Sequence, residues 1–430
     1  MFLRSIGPRC VTMKAKGTLC LFVRTPTPVS KGHFEMTKTP PSHATPSLLK
    51  WARRRARFSI EDAAQALSID ASRLQEWEDG NGTPSFAQLK KLAKKYKFPS
   101  FVFFLPHPPS EFTVVRDYRT IPGGSSRERS PELSLAIRTA QERQAWASDY
   151  IQSEGAEPPV LLASESKAKT VVGLADEIRK KLGVTIRQQV ECVDDRVAFN
   201  LWRSACESLG IFVFQASKVP LAEMRGFALP DRYAPTIVLN SKDRWSARAF
   251  TLIHELAHIA RGESAITGAG DNLFLPIPGK SEEQFCNSVA AETLVPAPDF
   301  QQHVPSNWDT DESIAALARR YHVSKCVIVF RLVETGFADK RFLQEKLRLF
   351  LSPGSTKKQE GGNIPQDTLA IARNGRFFSE LAISAFHSGE IHGGALTNLL
   401  RVSMKHLNKI EATISNNRLQ PVEPTEETRE

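Results

Sequence analysis

Apolar positions three and four residues apart predict helix over most of this chain. Such patterns cover Leu48–Ala56, Ile60–Leu67, a stretch from Asp70 to Glu78, Ser85–Tyr96, Pro131–Ser153, Ser164–Leu182 and Phe199–Leu209, and later Asp367–Gly389 and Gly394–Thr413. Three short runs read as strands instead: Ile211–Gln215, rich in Ile, Val and Phe, then Gly226–Leu229 and Thr236–Asn240. They lead into Arg244–Gly262. There Phe250, Ile253, Leu256, Ala257 and Ala260 fall at helical spacing, and Gly262 supplies a stop. A further helix begins at Ser281, which with Gln284 fits a capping box, and ends at Pro296 and Pro298. The expected fold class is mainly α with a small β-sheet. An all-α unit stands near the amino terminus, and an α+β unit holds the sheet.

Breaks in the pattern divide the chain into six parts. Residues 1–45 are basic and rich in Pro and Thr, with Glu35 their only acid, and read as a disordered tail. Their composition also fits a transit peptide, and Met36 offers an alternative start. Residues 46–109 form a small helical domain, and 110–194 a helical connecting region. Residues 195–352 form the α+β domain, 353–418 a carboxy-terminal helical extension, and 419–430 an acidic disordered tail.

Composition narrows the function classes. With 41% hydrophobic and 24% charged residues, the 430-residue chain is ordinary for a globular protein of two or three domains. No apolar run approaches the roughly 20 residues that cross a bilayer, so no membrane partner is expected. The net charge of +10 suits a nucleic-acid or acidic partner. Six cysteines without a C-x-x-C pair point to reduced thiols and a cytoplasmic location.

The chemistry concentrates in Arg244–Gly262. His254, Glu255 and His258 make an H-E-x-x-H arrangement. On a helix the two histidines lie one turn apart and reach one ion. Glu255, rotated off that line, reaches a water on the ion, where a general base must stand. Two imidazoles leave zinc short of its usual three protein ligands. Glu282, Glu283 and Glu292 are the candidates for the third. Glu282 and Glu283, in a first helical turn, would also stabilise the helix dipole with no metal present.

In the amino-terminal domain a short helix, a tight turn at Ser68 and Ile69, and a second short helix are the parts of a helix-turn-helix. Ala64, Ile69, Trp77-Glu78, Gly80 and Pro84 resemble the XRE-type helix-turn-helix of phage repressors. DNA reading would then fall to Ala71, Ser72, Arg73 and Gln75 at the start of the third helix. Arg53, Arg54, Arg55 and Arg57 would meet phosphates. Glu76, Glu78 and Asp79 make that helix locally acidic, which also suits a protein partner.

TLIHELAHIARG followed by EEQFCNSVAAETLVP resembles the ImmA/IrrE family of metallopeptidases, through Glu283, Asn287, Ala290, Ala291, Leu294 and Pro296 of the second helix. Val295 stands where that family often has methionine. The resemblance implies Glu283 as third ligand beside His254 and His258, Glu255 as catalytic base, and Asn287 as a brace for Glu283. It implies Zn2+, with Mn2+ also suited, and a metalloendopeptidase that cleaves a repressor- or antitoxin-like protein. Residues 375–411 resemble the carboxy-terminal extension of fused repressor-peptidase proteins. DNA and a protein substrate are the expected partners, with a homodimer through the connecting helices open. The competing expectation is a repressor whose peptidase-like domain only senses a ligand or binds a partner.

Overall fold

The structure is a computed structural model that describes residues 44–98, 100–108, 116–117, 130–159, 170–262, 265–267, 281–350 and 365–416. The expected tails at 1–45 and 419–430 lie outside these, apart from Ala44 and Thr45. Those two belong to the first domain: Ala44 is buried, and the Thr45 amide donates to the Phe103 carbonyl at 2.8 Å.

The first domain comprises α1 (Pro46–Arg55), α2 (Ile60–Leu67), α3 (Ala71–Glu78), α4 (Phe86–Tyr96) and a 3-10 turn at Ser100–Phe104. Ser59 caps α2 and Ser85 caps α4 in a capping box with Gln88; both side chains satisfy amide donors that a helix start leaves open. Asp70 stands at the N-cap of α3 without a side-chain cap bond. Leu49, Ala52, Ala63, Ala64, Leu74, Trp77 and Leu89 close one small core.

This core corrects one expectation. Arg53 is not a surface cation: it is 7% exposed and forms a two-point ion pair with buried Glu78, at 2.7 and 2.8 Å. It also donates to the Phe58 carbonyl at 3.0 Å. Buried and neutralised by Glu78, it is not placed to meet a phosphate, and Glu78 adds no charge to the surface of α3. Arg53→Ala strands Glu78 in the core and is expected to destabilise the domain by about 3–5 kcal/mol. Urea unfolding of the full chain would then show an earlier first transition; superimposable curves would contradict the pairing.

The rest of the chain is built around one sheet. Its strands are β1 (Arg116–Asp117), β2 (Phe212–Ala216), β3 (Gly226–Leu229), β4 (Thr236–Asn240) and β5 (Ala265–Thr267). They lie in the order β1-β5-β3-β4-β2, with β2 parallel to β4, β3 antiparallel to β4 and β5, and β1 parallel to β5. After Gly262 the chain thus returns to the sheet, with β5 lying along β3. The helices are α5 (Pro131–Ser153), α6 (Val171–Leu182), α7 (Ile186–Val190), α8 (Asp195–Ser208), α9 (Trp245–Ala260), α10 (Ser281–Leu294), α11 (Ala297–His303), α12 (Asp311–Tyr321), α13 (Lys325–Glu334), α14 (Lys340–Phe350), α15 (Gln366–Asn374), α16 (Arg376–His387), α17 (Gly393–Leu400) and α18 (Leu407–Asn416).

Alternation along the strands splits the apolar side chains between two cores. Val213, Ala228, Ile237 and Leu239 face α6, α8, α9 and α10. Phe212, Phe214, Phe227, Leu229 and Val238 face α5 and α15–α18. In the connecting region, Leu174, Ala175, Ile178 and Leu182 of α6 belong to the same core as α9. The carboxy-terminal extension packs on the other face of the sheet, where Phe378 meets Phe212 and Phe214 edge-on, at centroid distances of 5.7 and 5.0 Å. The two long helices expected there are also broken, at Gly375 (φ +79°) and Arg401 (φ +56°).

Helix α5 joins the two halves of the molecule. Gln144 donates to the Leu229 and Ala234 carbonyls, and Arg143 to the Leu399 carbonyl and to Asn374. From the same helix Arg138 donates to the Lys97 carbonyl, at the end of α4, and lies 3.9 Å from the Phe98 ring centroid. The helical domain is thus tied to the helix that covers the sheet. No helix among the described residues is long and apolar enough to cross a membrane.

Candidate metal centre and helix-turn-helix surface

α9 is buried on every side from Arg248 to Ile259, which fits a helix that is apolar around most of its circumference. It packs between the sheet and α8 and α10. Three polar side chains in it, His254, Glu255 and His258, are at most 1% exposed. Buried ionisable groups are costly unless paired or bound to a metal.

The one-turn spacing brings the two rings together, with His254 Nε2 and His258 Nε2 3.2 Å apart. α10 brings Glu283 to the same point: its carboxylate oxygens lie 3.4 Å from His254 Nε2 and 3.1 Å from His258 Nε2. Burial would push the Glu283 carboxyl up. The hydrogen bonds and charges of the two imidazoles outweigh it and hold the group well below the usual carboxylate range. An ionised carboxylate and two imidazole nitrogens thus converge in a buried place.

These residues fit a divalent ion. A tetrahedral ion with bonds of about 2.0–2.1 Å to such donors holds them about 3.3–3.4 Å apart, close to the separations found. Among the described residues His254, His258 and Glu283 are the group able to hold a metal, with ligand atoms within 4.8 Å of one another.

Of the three glutamates open in the sequence, only Glu283 is in that group. Glu292 is engaged elsewhere, in a buried ion pair with Arg331 and as acceptor from the Ala297 amide. Glu282 is half-buried, one residue off the face that meets the histidines. Asn287 is buried one turn beyond Glu283. Cys286 has a part that composition did not show: its Sγ lies 3.6 Å from His258 Nδ1. With the proton on Nδ1, directed at sulfur, the lone pair of Nε2 is left for the metal position.

Residues 206–333 match a peptidase family described as IrrE N-terminal-like domain. Residues 47–100 match a helix-turn-helix domain. An IrrE-like peptidase domain therefore follows a helix-turn-helix DNA-binding domain in this chain. None of the curated proteins compared matches it. The IrrE-like match takes in α9 and α10 together, hence all three members of the buried group. It is a metallopeptidase family, which implies a metal. It ends before the carboxy-terminal helices that cover the second face of the sheet.

In the helix-turn-helix domain, the left-handed C-cap Ser68 turns the chain from α2 to α3. Ser72 and Arg73 are exposed at the start of α3. Gln75 is half-buried and donates to Asp79 at 2.6 Å. Arg54 and Arg57 are exposed and Arg55 half-buried. Four exposed lysines on and just after α4, Lys90, Lys91, Lys94 and Lys97, add positive charge that no motif had singled out.

Proposed function

We propose that this chain is a cytoplasmic DNA-binding regulator whose peptidase domain is a metal-dependent endopeptidase that cleaves a repressor- or antitoxin-like protein. The observation that carries the reading is the buried triangle of His254 Nε2, His258 Nε2 and the Glu283 carboxylate. Two imidazoles and one carboxylate suit zinc, and manganese next. An ion held there supplies Lewis acidity, which lowers the pKa of water to about 7 and polarises a peptide carbonyl.

The side chains do the rest. His254, His258 and Glu283 fix the ion, and Asn287 braces Glu283. Glu255 takes the proton from the attacking water and returns it to the leaving amine. Burial of α9 keeps bulk water from these groups, which strengthens each electrostatic contact. On the DNA side, Ser72, Arg73 and Gln75 meet base edges and Arg54 meets phosphate, with a second copy of the chain on the other half-site.

The test is to incubate zinc-loaded, full-length protein with repressor-like proteins encoded beside it. One discrete cut, abolished by a chelator, is expected. No cut of any of them, together with a ligand-dependent change in operator binding, would favour a domain that only senses.

A further inference from the structure

We infer that Gly226 is a positioning residue for Glu255, an inference that rests on the proposed function. Gly226 opens β3, and its side of the strand faces α9. Its φ is not positive, so backbone conformation does not require glycine. Space does. A Cβ at this position would stand 2.6 Å from Thr251 Cγ2, 3.0 Å from Glu255 Oε1 and 3.2 Å from the Val238 carbonyl oxygen.

Thr251 and Glu255 are one helical turn apart on α9, which presents both to the strand. The Thr251 hydroxyl is tied to the Ala247 carbonyl at 3.0 Å, and Val238 belongs to the neighbouring strand. The Glu255 carboxyl ends a longer, more adaptable side chain, so it is the group that gives way. Glycine thus leaves the volume in which the base sits. None of the three metal-holding side chains supplies any of the three atoms nearest that Cβ. A side chain at position 226 displaces the base and spares the ion.

The experiment uses the full chain loaded with cobalt(II), and acetohydroxamic acid as probe. A hydroxamate chelates such an ion and donates a hydrogen bond to a carboxylate beside it. Its binding is read from the visible cobalt bands. Because Gly226→Ala meets Thr251 first, the variant of choice is Gly226→Ala with Thr251→Ser, which removes the methyl and keeps the hydroxyl. This double variant is expected to bind cobalt at the stoichiometry of the wild type and of Thr251→Ser alone. It should bind acetohydroxamate roughly ten- to a hundredfold more weakly, the loss of one charge-assisted hydrogen bond. Glu255→Ala should show the same loss, and adding Gly226→Ala to it should cost nothing further. Wild-type affinity in the double variant, or parallel loss of cobalt, would overturn the assignment.

A metal-free arm keeps the two readings apart. In urea unfolding, Glu255→Ala should recover part of the stability that Gly226→Ala removes. Strictly additive effects would overturn the steric link. A wild type that takes up no cobalt would instead defeat the proposed function, while the urea comparison would still decide the part played by Gly226.

Discussion

Glu255→Gln is expected to abolish cleavage while leaving the ion in place. Glutamine matches glutamate in size, so it keeps the buried position of the carboxyl on α9 and its fit beside Gly226. It cannot accept a proton at neutral pH. Loss of a general base slows a reaction by roughly a hundredfold to ten-thousandfold, or about 3–5 kcal/mol of transition-state stabilisation. The measurement is single-turnover cleavage of the protein substrate, with metal content determined on the same samples. Full metal content and no cut is the predicted pair. A variant that retains metal and cleaves at the wild-type rate would remove Glu255 from the mechanism.

Glu283→Ala is expected to strip the ion. Its carboxylate is the sole acidic member of the triangle and comes from a different helix than the two histidines. Without it the ion keeps two neutral ligands and loses the only negative charge contributed by the protein group. Weakening a hydrogen bond to a ligand already costs about 10- to 100-fold in affinity, so removal of the ligand should exceed that. Elemental analysis after dialysis against a weak chelator would read it, with circular dichroism confirming the fold. Glu292→Ala is a poor control, because it breaks the buried pair with Arg331. Glu282→Ala is the suitable one and should retain metal. Unchanged metal content in Glu283→Ala would take Glu283 out of the ligand set.

The site was legible in sequence to the extent that it is local. His254 and His258 converge because four residues make about one turn of helix, which is arithmetic on a single element. Glu283 was not local: spacing left three glutamates equal, the family resemblance pointed to Glu283, and the packing of α10 against α9 brings it to the two histidines. Gly226 and Cys286 had no signal at all, since each matters through one contact made across elements.

Charge was read least well. Arg53 sits in a run of three arginines and looks like a phosphate contact, yet its partner Glu78 lies 25 residues away. The helical pattern of α5 was plain over its full length, but periodicity does not say what a face will meet. Arg138 and Arg143 are polar by type and nonetheless buried, because each satisfies backbone carbonyls of another element. The carboxy-terminal helices were found as helices and missed as the second cover of the sheet for the same reason.

The most direct test is X-ray absorption at the zinc edge of the full-length protein. The account predicts a first shell of nitrogen and oxygen at about 2.0–2.1 Å, with the outer scattering of two imidazoles and none from sulfur. In Glu283→Ala that signal should fall away with the bound zinc. A sulfur neighbour at about 2.3 Å would place Cys286 on the ion, and a single imidazole would break the pair of histidines; either result would contradict the account.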